Sequence, residues 1–96
     1  MKTNTSHPIL GDLVAGIRST PERRLMLAVL DDAIRVLETR PYGSRARRLR
    51  AETNRWLAAD EREWPYSYLN LCDGLGIDPA RLRTRVDAAC ALRPAA

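Results

Sequence analysis

Proline and glycine cut this chain into lengths that only short helices fit. Thr20-Pro21, Pro41-Tyr42-Gly43, Trp64-Pro65 and Gly76-Ile77-Asp78-Pro79 interrupt it, and between the breaks apolar residues recur at spacings of three and four. After the first break, Met26, Leu27, Leu30, Ala33, Ile34 and Leu37 form a broad apolar stripe, with Asp31 and Asp32 placed to meet Arg35 one turn on. Thr20 can cap this helix, Pro21 suits its first position, and Glu22 favours the positive end of the dipole. The pattern predicts an amphipathic helix from Pro21 to about Thr39. No run alternates β-branched with polar residues, no hairpin dipeptide occurs, and the sequence does not repeat itself. The fold class it predicts is all-α: four to five short helices in one domain, residues 1–96.

The other segments follow the same logic. Residues 1–8 are polar and predict a frayed tail. Leu10, Leu13, Val14 and Ile17 are spaced for a short helix that Gly11 and Gly16 weaken. Ser44 is placed to cap a third helix running to about Asp60, with Ala46, Leu49, Thr53, Trp56 and Leu57 on its inner face. Tyr68 to Leu75 and Pro79 to about Leu92 read as two more helices, parted only by Gly76-Ile77-Asp78.

Composition narrows the function classes. The chain has 96 residues, 45% of them apolar, and a formal net charge of +4, which suits one small globular unit. No stretch approaches the roughly 20 apolar residues that span a bilayer, and the start lacks a basic region leading into an apolar run. Cys72 and Cys90 are too few for a disulfide scaffold and match no metal spacing, so the expected compartment is the cytoplasm. The one histidine, His7, falls in the tail, which deprives a Ser or Cys nucleophile of a held base. Glycine-rich phosphate loops are absent, and the Asp31-Asp32 and Glu61/Glu63 pairs are ordinary helix-surface features. Neither catalysis nor a cofactor nor a metal is expected.

The segment Tyr68 to Val86, YLNLCDGLGIDPARLRTRV, carries the most specific pattern. It resembles the helix-turn-helix of small bacterial DNA-binding proteins, with Leu71, Cys72, Leu75, Gly76, Ile77 and Leu82 in its apolar, small and turn places. Small Cys72 would let two helices cross closely, Gly76 would supply the positive φ that ends the first, and Ile77 would fill the gap between them. Asp78 would cap the second helix and Pro79 open it. The pattern departs at Arg85, where an apolar residue is usual and Val86 stands beside it. The resemblance implies a helix-turn-helix unit over residues 67–92 that places helix 79–92 in the major groove of double-stranded DNA. Removing the buried face (Leu82, Val86, Ala89) would leave Arg83, Thr84 and Ala80 to read bases, with Arg83 matched to guanine. Arg81, Arg85 and Ser67 would hold phosphates. A regulator this small would bind a pseudo-palindromic site as a homodimer, pairing through the wide stripe of the second helix.

Charge is unevenly spread. Residues 1–39 are neutral, 40–55 carry +5, 56–76 carry −3 and 77–96 carry +2. Arg45, Arg47, Arg48 and Arg50 on the third helix predict a stripe able to follow a DNA backbone. The same stripe equally suits an acidic protein partner, which makes an adaptor or inhibitor the alternative to a transcriptional regulator. Trp56, Trp64, Tyr66 and Tyr68 cluster where the third helix meets the helix-turn-helix segment, and the two tryptophans are expected in the core.

Overall fold

Five α-helices build the protein, seen in a computed structural model that describes residues 8–11, 13–14 and 20–91. They are α1 (Pro8–Gly11), α2 (Pro21–Glu38), α3 (Gly43–Ala58), α4 (Tyr68–Leu75) and α5 (Pro79–Ala91), and no strand occurs among the described residues. The all-α expectation holds. Residues 1–7 of the predicted tail, including His7, the Ile17 end of the first segment and Leu92 lie outside the described residues, and Pro8, expected in the tail, begins α1.

α2 is the organising helix. Thr20 caps it by accepting a hydrogen bond from the Arg23 amide at 3.1 Å, and Pro21 begins its first turn. Its inner stripe, Leu30, Ile34 and Leu37, is buried against α4 and α5, while α3 packs along another side. α4 is short and nearly enclosed: Tyr68, Leu69, Leu71, Cys72 and Leu75 are buried out of eight residues. Gly74 of α4 faces Met26 of α2 so closely that a Cβ there would lie 2.7 Å from the methionine sulfur. The missing side chain lets Met26 settle directly on α4. α1 lies on α5 and delivers Leu10, which is completely buried.

The α4–α5 turn follows the predicted chemistry. Gly76 adopts φ +72°, and two reverse bonds close α4, from the Ile77 amide to the Cys72 carbonyl at 2.9 Å and from the Gly76 amide to Asp73. This pair is the Schellman arrangement, which a residue with a side chain enters only at a steric cost. Asp78 then accepts from the Ala80 amide at 3.0 Å and starts α5 at Pro79. Ile77, Leu82 and Val86 are buried, so Val86 takes the inward place that the sequence leaves to Arg85.

Three expectations are corrected. α3 begins one residue before Ser44, at Gly43 with φ +83°, and Tyr42 precedes it without a side-chain cap. The left-handed glycine turns the chain into the helix, so Ser44 is already inside it. Leu49 was expected inward yet is 49% exposed, and α3 buries only Leu57 among sixteen residues. Trp64 was expected in the core yet is 56% exposed, because the connection after α3 sets it at the edge of the hollow between α2 and α3.

Candidate functional site

The aromatic residue at the start of α4 decides what α5 can present. Ser67 caps α4, accepting from the Asn70 amide at 3.3 Å, and this buries Tyr68 one residue on. The Tyr68 hydroxyl donates to the Pro79 carbonyl at 2.6 Å, tying the start of α4 to the start of α5. Trp56 meets the Tyr68 ring edge-on at 5.6 Å, and the Trp56 indole N–H donates to the Tyr66 carbonyl at 2.9 Å. Tyr68 thus joins three helices.

Arg83 covers the other side of that ring. Its guanidinium carbon lies 4.7 Å from the ring centroid, and its nitrogens donate to Leu57 O at 2.9 Å, Ala59 O at 3.2 Å and the Asp60 carboxylate at 3.0 Å. Those carbonyls end α3 and have no helical partner of their own, so the cation satisfies them and the negative end of the dipole together. The residue expected to read guanine is therefore turned inward as a clamp between α3 and α5. Ser67, expected to hold a phosphate, is 1% exposed and occupied as a cap. Arg85 is half-buried and donates to the Ile9 carbonyl at 3.4 Å.

What remains outward on α5 is small and electrically balanced. Ala80, Arg81, Thr84, Asp87 and Ala88 are exposed, and the Thr84 hydroxyl donates back to Ala80 O at 3.0 Å. Beside them runs the acidic turn. Glu61 accepts from the amides of Glu63 and Trp64, Arg62 pairs with Asp73 at 2.7 Å, and Asp60 meets Arg83. The surface around α5 is thus neutral to acidic.

The arginines of α3 stand elsewhere. Arg45, Arg47, Arg48 and Arg55 are exposed and form no ion pair among the described residues, whereas Arg50 donates to the Thr39 carbonyl at 3.3 Å. Arg47 lies ten residues before Leu57, so its end of α3 is about 15 Å along the helix from the clamp at α5. The acidic turn follows α3 directly, and its Asp60 is the carboxylate that Arg83 of α5 meets.

A groove opens between α2 and α3. Val29, Asp32, Ala33 and Val36 form its α2 wall, and Leu49, Glu52, Thr53 and Trp56 its α3 wall, enclosing about 380 Å³. Trp64 and Tyr66, in edge-on contact at 6.2 Å, close one end. A second hollow of about 220 Å³ shares Val36 and Leu49 and continues toward Thr39, Arg40, Pro41 and Ala46. Sequence periodicity pointed to a wide α2 stripe but placed Leu49 and Trp64 in the core, and so missed this surface.

Among the described residues no group of three His, Cys, Asp or Glu side chains could hold a metal ion, and no helix is long and apolar enough to cross a membrane. Burial against the core pushes the Cys72 thiol up to about 11, away from the thiolate that a nucleophile needs. No protein-family model, curated protein or solved structure matches this chain.

Proposed function

We propose that this protein is an interaction module, an adaptor or inhibitor that binds an acidic protein partner through the arginine-bearing face of α3. One observation carries the reading: α3 holds four exposed arginines that form no ion pair among the described residues, and it buries one residue of sixteen. A helix so thinly packed contributes little to the core of its own chain, and its surface is free for another molecule. Arginine rather than lysine suits carboxylate partners, because the planar guanidinium donates two parallel hydrogen bonds.

Binding of double-stranded DNA is the second reading, favoured by the Schellman turn at Gly76 and the outward Arg81, Thr84 and Ala80. It is weaker because Arg83 is occupied, the outer face of α5 balances Arg81 with Asp87, and acidic residues border it. On this reading the α3 arginines would supply phosphate contacts without sequence preference.

The two separate in one titration. A fluorescent glutamate-rich peptide and a fluorescent mixed-sequence duplex are each added to the protein at low salt, and anisotropy is followed. The peptide binds, and reversal of Arg45 and Arg48 to Glu weakens it about tenfold, the effect of two charges at roughly 0.7 kcal/mol each. Tight duplex binding with no peptide binding would replace this reading with the DNA one.

A further inference from the structure

The thin packing of α3 has a definite shape, and the shape specifies an occupant. Early turns of α3 meet late turns of α2 (Val36 with Ala46 and Leu49), while Thr53 and Trp56 lie nearer Val29 and Ala33, so the two helices run antiparallel. The channel between two antiparallel helices has the form that a third helix fills in a bundle. From Ala46 to Trp56 it runs ten residues of α3, about 15 Å, or close to three helical turns. Leu25, 52% exposed, stands one turn before Val29 on the same side of α2 and lengthens that wall.

The rims of the channel differ in charge. On α3, Arg45, Arg48 and Arg55 share the flank beside Leu49 and Trp56, with Glu52 between them, and Arg40 guards the open end. On α2 the exposed charged side chains at the rim are Asp32, beside the larger hollow, and Arg35, beside the smaller one. A second copy of this chain meets the channel poorly, since two-fold pairing brings the +5 stretch of residues 40–55 against itself.

We infer that the α2–α3 groove receives an amphipathic helix of an acidic partner protein. Its apolar residues, spaced i, i+4 and i+7, lie on Val36, Leu49 and Trp56, and its carboxylates face the α3 rim. This rests on the interaction reading above and names the partner's form. The acidic flank turns toward α3, whose rim sets Arg45, Arg48 and Arg55 against Glu52, whereas the α2 rim sets Arg35 against Asp32.

Both tryptophans of the chain border the groove, so intrinsic fluorescence reads its occupation. The probe is a synthetic tryptophan-free 18-residue helix with leucines at i, i+4, i+7 and i+11 and glutamates along one flank. A scrambled peptide of the same composition is the control, and the full chain is titrated with each. The amphipathic peptide shifts tryptophan emission to shorter wavelength and binds at least tenfold tighter than the scramble. Leu49→Asp removes that tenfold preference while the charge-driven binding of the scramble persists. Trp64→Ala, at an exposed site, provides a second variant with Trp56 still reporting. Equal binding of both peptides, with no emission shift, would sink the groove while leaving the acidic-partner reading intact. Binding of neither peptide would overturn both. If the free protein sediments as a dimer that Leu49→Asp dissociates, a second copy fills the groove and the inference fails.

Discussion

Arg83 shows how one side chain can leave the surface and change what a helix offers. By spacing it belongs to the outer face of α5, yet the end of α3 and the Tyr68 ring supply three acceptors and a π-face within reach. Arg83→Ala leaves the α3 carbonyls without their cation and lowers stability by about 2 kcal/mol, in the range of hydrogen bonds to charged groups. The denaturation midpoint should fall accordingly while binding of the acidic peptide by α3 is preserved; an unchanged midpoint with lost binding would return Arg83 to the site. Tyr68 and Cys72 make a further residue-scale prediction. Burial raises both above their ordinary values, the thiol to about 11, so the folded state keeps protons that the unfolded chain releases. Their contribution is complete below about pH 9 and is lost as pH rises through 11. Melting temperature should therefore decline over that alkaline window, and a flat profile would contradict the burial of these groups. Cys72 should also resist thiol reagents far longer than the half-exposed Cys90.

Among the elements, α3 and α4 are opposites. α4 has eight residues and is almost enclosed, whereas α3 has sixteen and touches the core mainly through Leu57 and the edge of Trp56. Truncation should expose the difference. Leu57→Ala costs about 2–4 kcal/mol, as usual for a buried leucine, while Leu49→Ala costs under about 1 kcal/mol because that side chain is already half in water. Equal losses in chemical denaturation would mean that α3 is packed more evenly than its exposure indicates. The helices themselves were legible in the chain, with Thr20 and Asp78 capping and Pro21 and Pro79 opening them, whereas Ser67, read as a phosphate contact, caps α4 instead. These signals act within one turn and need no tertiary context. The start of α3 was not legible in the same way: Ser44 has the chemistry of a cap, but the left-handed Gly43 starts the helix a residue earlier.

Over the whole molecule, the modest net charge resolves into a basic early half of α3 and an acidic turn beyond its end. Peptide binding by the arginines should therefore weaken severalfold between low and physiological salt, since exposed charges are screened over about 8–10 Å. The melting temperature should barely move over the same range, because the core is apolar; parallel changes in both would mean that salt acts on folding and not on binding. The sequence by itself determined the all-α class, the helix limits near their caps, the glycine turn between α4 and α5, and the segregation of charge. Each depends on residues close together in the chain or on simple counting. Only the tertiary structure decided which arginine faces inward, that Leu49 and Trp64 stay exposed, and that α2 and α3 leave a groove. Helical periodicity specifies a face but not what lies opposite it. For α3 the chain buries Leu57, half-buries Trp56 against Tyr68 and leaves Leu49 facing solvent.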